Sequence, residues 1–389
     1  MTEDPIVFTI FLIFSGAAVL ATVALYARQA LLVAYILLGI LFGPWALGLV
    51  TDPDLIQEIS HIGIMFLLFL LGLNLPPKKL VGLLGEATRI TLISSTIFAL
   101  VGMGIAALFG YTFAEQLLIG AALIFSSTIL SLKLLPTTAL HHQRMGEIII
   151  SVLLLQDLLA IGILLALEVH GKGDIPASEL AMLLLALPIL VLFAYLFTRY
   201  ILIKLIRRFD KIQEYIFLTA IGWCLGIAEL AALLGLSQEI GAFIAGVTLA
   251  TSPIALYIAE SLKPLRDFFL IIFFFSLGAG FQLPILEQVL IPALVLATLS
   301  MLFKPLIFKW LLKDSVDKPE RALEIGVRMG QVSEFSLLIA LLALNLGVIG
   351  HEASYLIQAT TLLTFIASSY YVVQRYPTPI AVSDKLRRD

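Results

Sequence analysis

The chain has 389 residues, 60% of them hydrophobic and only 13% charged, with a net charge of −3. Soluble domains carry roughly 25% charged residues, so this is the composition of an integral membrane protein. No basic run interleaved with aromatics points to a nucleic acid partner, and one cysteine, Cys224, excludes a disulfide framework or a cysteine-rich metal site.

Apolar runs of about 17–25 residues read as membrane-spanning helices. In chain order we expect about 13, at roughly 6–26, 30–50, 55–73, 86–109, 113–135, 147–168, 180–206, 213–235, 238–252, 264–282, 285–311, 321–346 and 353–375. The opening Met1-Thr2-Glu3-Asp4-Pro5 is acidic and lacks the basic region of a signal peptide, so the first run stays as a span. The ninth is short and glycine-rich, and the count shifts by one if it does not cross.

The connections set the orientation. With the N-terminus outside, the inner ones hold Arg28, Lys78, Lys79, Lys133, Arg144, Lys204, Arg207, Arg208 and Lys211. They continue with Lys263, Arg266, Lys309, Lys313, Lys318, Arg321, Lys385, Arg387 and Arg388. The outer connections hold Lys172 alone, among Asp52, Asp54, Glu115, Asp174, Glu179, Glu287 and Glu352. An excess of Lys and Arg marks the cytoplasmic side. The expected topology is an odd number of spans in the plasma (inner) membrane, N-terminus out and C-terminus cytoplasmic.

Gly72-Leu73-Asn74-Leu75-Pro76, ending the third span, is echoed by Gly280-Phe281-Gln282-Leu283-Pro284, ending the tenth. Leu38-Gly39-Ile40-Leu41-Phe42-Gly43 is echoed more loosely by Ile240-Gly241-Ala242-Phe243-Ile244-Ala245-Gly246. The offset is about seven helices, so the two copies enter the membrane in opposite directions, as in secondary transporters with inverted repeats. Residues 1–389 then form a single transmembrane domain: repeat one at about 6–168, a connector at about 180–206, and repeat two at about 213–375. Residues 376–389 remain as a cytoplasmic tail.

Polar knots interrupt two spans at corresponding places. The fifth carries Phe125-Ser126-Ser127-Thr128-Ile129-Leu130-Ser131, the twelfth Arg328-Met329-Gly330-Gln331-Val332-Ser333-Glu334-Phe335-Ser336. Hydroxyls can bond the backbone groups that an unwound segment frees, so both helices are expected to break, although Ser and Thr also pack in intact spans. The sixth span, Ile148 to Leu165, places Asp157 near its centre. A carboxylate there costs about 2.5–3.5 kcal/mol by insertion scales and normally marks an ion or proton path. The other reading is a protonated carboxyl bonded between helices.

Lys304 lies in the eleventh span, either snorkelling toward Lys309 or acting as an intramembrane cation at the ion site. Arg328 and Glu334 are too far apart for a helical pair. A break between them allows a direct pair, or lets each neutralise an opposing half-helix end. Glu229 and Glu239 read as interfacial, and the spacing of His61, His141 and His142 matches no metal site.

With Gln156-Asp157, the Ser126-Ser127-Thr128 knot and Gly330-Gln331-Val332-Ser333-Glu334-Phe335, the chain resembles the monovalent cation/proton antiporter superfamily. It looks closest to the Kef-type potassium-efflux branch, and the likeness runs over nearly the whole chain. The resemblance implies an all-α membrane protein with an NhaA-like antiporter fold, crossing discontinuous helices, and a homodimer in lipid. Asp157 then matches the cation- and proton-binding aspartate, beside Gln156, Ser126, Ser127 and Thr128. Lys304, Glu334, Arg328 and Gln331 supply charge compensation at the crossing. No cofactor is implied; K+ or Na+ and H+ are carried. Kef-type proteins also carry a cytoplasmic nucleotide-binding domain after the last helix. No Gly-x-Gly-x-x-Gly unit follows the last helix here, so the expectation is either that such a domain was removed or that the natural protein lacks it, with a regulatory domain or subunit outside this chain left open. The Gln331 to Glu334 segment replaces a glycine-richer version, which leaves potassium against sodium open.

The expected mechanism is competition: Asp157 binds a proton or one cation, and only the neutralised site crosses the barrier. No K+-channel filter sequence and no Gly-x-Ser-x-Gly or His-Glu-x-x-His motif occurs, which disfavours a channel or a membrane enzyme. A sodium-coupled symporter built on the same repeat is the nearest rival.

Overall fold

The computed structural model describes residues 5–27, 29, 31–50, 53–73, 86–134, 144–171, 177–209, 211–313, 315–316 and 318–378. Arg28, Asp52, Asn74 to Lys79, His141, His142, Lys172, Asp174 and the tail beyond Thr378 lie outside the described residues. The elements are all helices: α1 (Pro5–Tyr26), α2 (Leu31–Phe42), α3 (Pro53–Leu73), α4 (Glu86–Leu108), α5 (Phe113–Ile124), α6 (Thr128–Lys133) and α7 (Arg144–Gly171). Then follow α8 (Ala177–Phe197), α9 (Ile203–Arg208), α10 (Gln213–Leu233), α11 (Gln238–Leu249), α12 (Ile254–Ser261) and α13 (Lys263–Ala279). The last four are α14 (Leu283–Leu311), α15 (Pro319–Arg328), α16 (Glu334–Asn345) and α17 (His351–Arg375).

Among the described residues, seven helices are long and apolar enough to cross a membrane, and five more are apolar but shorter. Length and composition alone mark seven spans among the described residues and do not confirm the expected count of thirteen. Three expected spans are shorter or divided. The helix expected over 30–50 stops at Phe42, because Pro44 lacks an amide and pushes Gly43 out of helical geometry. Both polar knots break their helices, giving α5 and α6 in one case and α15 and α16 in the other. The expected connector continues from α8 into α9 through a π-helical turn, Thr198–Leu202. The short helix α12 was not expected from the sequence.

The chain folds as two compact units that interleave along the sequence. Unit one comprises 1–17, 35–82 and 168–280; unit two comprises 18–34, 83–167 and 281–389. In unit one, glycines bring two helix pairs to backbone contact. A Cβ on Gly39 of α2 would strike the Phe275 carbonyl of α13, and one on Gly278 would strike the Ile36 carbonyl. A Cβ on Gly246 of α11 would strike the Phe69 carbonyl of α3, facing Gly72. Both close pairs are thus made by glycine against a facing carbonyl. Around them, the Phe66 and Phe269 rings stack at 5.4 Å, and His61 pairs with Glu239. Cys224 is a buried packing residue of α10.

Unit two holds α4 to α7 and α14 to α17. Ile90, Phe98, Met145, Ile149, Val152, Leu153, Phe308, Leu312, Ala322, Ile325 and Met329 form one buried apolar cluster within it. Gly326 of α15 lets that helix lie against the backbone of Pro305 in α14; an added Cβ would be 2.7 Å from the Pro305 Cα. That approach fixes the neighbouring residue, Lys304, against the breaks.

Candidate functional site

A helix interrupted at membrane depth leaves amides and carbonyls with no water to bond, so each must find a partner within the protein. At the first break α5 ends at Ile124, Phe125 turns extended (φ −83°, ψ 145°), and α6 begins at Thr128. The Gln156 side chain of α7 closes this gap. Its Nε2 donates to the Ile124 carbonyl at 3.1 Å, and its Oε1 accepts from the Ser126 amide at 3.1 Å. Ser127 Oγ accepts the Leu130 amide at 3.1 Å and caps α6.

At the second break α15 ends at Arg328, and Ser333 caps α16 by accepting the Phe335 amide at 3.1 Å. The Val332 amide donates to Thr364 Oγ1 of α17 at 3.0 Å, and Ser368 Oγ donates to Gln331 Oε1 at 3.0 Å. Side chains stitch the two breaks together. Ser126 Oγ donates to the Met329 carbonyl at 2.7 Å, Ser131 Oγ to the Arg328 carbonyl at 3.0 Å, and Ser336 Oγ to the Ala122 carbonyl at 2.6 Å. Gln331 Nε2 donates to Ser131 Oγ at 2.8 Å.

Lys304 sits at the centre of this crossing. It is 1% exposed, so the snorkelling alternative does not hold. Its Nζ donates to the Phe125 carbonyl at 2.8 Å, the Gln331 carbonyl at 3.1 Å and Ser126 Oγ at 3.4 Å, and lies 5.4 Å from the Phe98 ring centre. One ammonium thus spans both breaks. Arg328 does not pair with Glu334. Its guanidinium grips Glu324 at 2.7 Å one turn earlier, because i,i+4 residues share a helix face. It also donates to the Leu134 carbonyl at 2.8 Å, just past the end of α6, and to the Pro377 carbonyl at 2.9 Å. Arg328 thus meets the carbonyl just past the end of α6 in place of Glu334.

Asp157 follows Gln156 on α7 and is 1% exposed. Thr128 Oγ1 donates to its Oδ2 at 3.2 Å and lies 3.4 Å from Oδ1. Of the predicted knot, Thr128 alone makes a hydrogen bond to Asp157 among the described residues, whereas Ser126 and Ser127 serve the crossing. Glu334 is a buried carboxylate in the first turn of α16, directly after the second break. The sequence reading missed Glu324, Thr364 and Ser368. The signal for the last two was the polar stripe Ser354, Gln358, Thr361, Thr364 and Ser368, spaced by three or four along an otherwise apolar span.

Two interrupted helices crossing beside a buried carboxylate form the architecture of a secondary transporter, where irregular backbone at membrane depth lines a substrate site. The particular family follows from comparison: the chain belongs to the sodium/hydrogen exchanger family, whose transmembrane model matches residues 10–372. It is a multi-pass membrane transporter and not an enzyme. The chain is 27% identical over 351 residues to the iron transporter MagA of Paramagnetospirillum magneticum, covering 89% of this chain and 80% of that one. It is 28% identical over 351 residues to K(+) efflux antiporter 6 of Arabidopsis thaliana, covering 88% of this chain and 58% of the relative. The likeness to the potassium-efflux branch is thereby borne out, over little more than half of that relative's length. The fold matches the sodium proton antiporter MjNhaP1 of Methanocaldococcus jannaschii with a TM-score of 0.68 at 17% identity, covering 94% and 97% of the two chains.

Proposed function

We propose that this protein exchanges a monovalent cation, potassium in preference to sodium, for protons, and that both bind at Asp157. The observation that carries this reading is the division of labour around that residue. Gln156, Ser126 and Lys304 are engaged by the crossing, while the Asp157 carboxylate meets the Thr128 hydroxyl. A buried carboxylate without a tight cationic partner is costly, so it is neutral when it holds either a proton or a cation, and the two compete. Carboxylate, hydroxyl and carbonyl oxygens suit an alkali ion. Among the described residues no three His, Cys, Asp or Glu side chains converge to hold a metal ion, so the iron named for MagA is not carried over.

Alternating access follows if only the neutral site reorients, with Asp157 facing one side of the membrane at a time. The single carboxylate on α7, next to a neutral Gln156, supports one proton per cation and electroneutral exchange. The inner and outer charges support the topology with the N-terminus outside and the C-terminus cytoplasmic in the plasma membrane. The odd offset of the repeat supports repeats at about 6–168 and 213–375 around the connector. The test is proton flux in proteoliposomes driven by potassium, sodium, lithium or rubidium gradients, at several imposed voltages. We expect saturable exchange, highest with potassium, unchanged by voltage, and abolished by Asp157→Asn in protein that still purifies folded. Exchange retained by that variant removes Asp157 from its role; a steep voltage response defeats one-for-one coupling; uptake without proton counterflow favours a symporter.

A further inference from the structure

The two breaks are held by one device used twice. In the first, the peptide unit joining Phe125 and Ser126 is gripped at both ends: its carbonyl accepts Lys304 Nζ at 2.8 Å and its amide donates to Gln156 Oε1 at 3.1 Å. In the second, the peptide unit joining Gln331 and Val332 has its carbonyl on the same Lys304 Nζ at 3.1 Å and its amide on Thr364 Oγ1 at 3.0 Å. The likeness lies in the hydrogen bonds: in each break one peptide has its carbonyl on Lys304 and its amide on a side chain of a neighbouring helix, Gln156 of α7 or Thr364 of α17.

We propose that Thr364 is the counterpart of Gln156, a positioning residue that fixes the Gln331–Val332 peptide so that its carbonyl holds Lys304 at the crossing. Ser368, four residues on and bonded to Gln331 Oε1, secures the side chain of the same residue. Two peptides are thus clamped alike on one Lys304, one of them by the residue next to Asp157. Without the Thr364 acceptor the peptide turns to find another partner, because an amide at this depth cannot stay unbonded. The Gln331 carbonyl then leaves Lys304, which loosens its hold on Phe125 and Ser126, two residues before the Thr128 hydroxyl that meets Asp157.

This inference rests on exchange at Asp157, so its test has two independent readouts. The first is hydrogen–deuterium exchange over the peptide containing Val332, which requires no transport: Thr364→Val should raise uptake there, and Thr364→Ser should not. The second is the cation dependence of proton flux. Thr364→Val should raise the half-saturating potassium concentration by roughly threefold to tenfold, the worth of one hydrogen bond, with a smaller change in maximal rate and recovery in Thr364→Ser. Unchanged deuterium uptake, or raised uptake with wild-type half-saturation, overturns the proposal. If wild-type protein shows no exchange, the functional reading fails and the deuterium result alone judges the clamp. Should Thr364→Val not fold, Ser368→Ala takes its place, with a shift of the same direction expected in both readouts and wild-type behaviour overturning the idea.

Discussion

Lys304 shows how much a single side chain can do at membrane depth. Burying an ammonium is costly unless its donors are met, and here three oxygens meet them, two of them carbonyls freed by the helix breaks. Replacing it by methionine of similar length leaves the Phe125 and Gln331 carbonyls without their donor. We expect Lys304→Met to lower stability by about 2 kcal/mol or more, measured as a drop in melting temperature in detergent. Arginine should not rescue it, since a planar fork cannot reproduce a compact point donor. Asp157 was legible in the sequence, because an acid inside an apolar run has few structural explanations. Lys304 was not, because its depth depends on the close approach of α15 to Pro305, and Lys309 nearby made snorkelling equally consistent. Gln156 was read as an ion ligand beside Asp157. Its side chain points about a hundred degrees around the helix from its neighbour, and there it bonds the first break.

At the level of the helix, the breaks were legible as hydroxyl-rich knots in apolar runs, and Phe125 to Ser127 and Met329 to Ser333 are where the backbone leaves helical geometry. What repairs each break was not legible, since the repairing side chains come from α7 and α17, distant in sequence. The early end of α2 was readable in Gly43-Pro44 but was hidden by the continuing hydrophobicity of Trp45 to Val50. Helix contacts in unit one turn on glycine. Adding a methyl at Gly246, against the Phe69 carbonyl, forces α3 and α11 apart. Gly246→Ala should cost about 1–3 kcal/mol, read by thermal size-exclusion chromatography. Gly222→Ala in α10 is the control, because nothing lies within 4 Å of the added Cβ, and it should leave stability unchanged or slightly raised.

For the whole molecule, the order of hydrophobic runs suggests a repeat but not which helices assemble. Each compact unit draws segments from both 6–168 and 213–375, so the units cut across the division read from the sequence. That exchange depends on which apolar faces meet, and near-uniform apolar helices such as α8 carry no periodic signature of a preferred face. Unit one also presents Leu185, Ile189, Leu192, Phe193 and Leu196 on α8 as exposed apolar side chains. A homodimer in lipid is our proposal for the assembled state, and native mass spectrometry from lipid nanodiscs should find two copies; a single copy at all protein concentrations would reject it. One end of unit two has a mechanical consequence. Arg328 ties Leu134 beyond α6, Glu324 on α15 and Pro377 beyond α17 through one guanidinium. A tug on the segment leaving the final helix is therefore felt at the ends of α6 and α15 at once, like a drawstring knotted at a single bead.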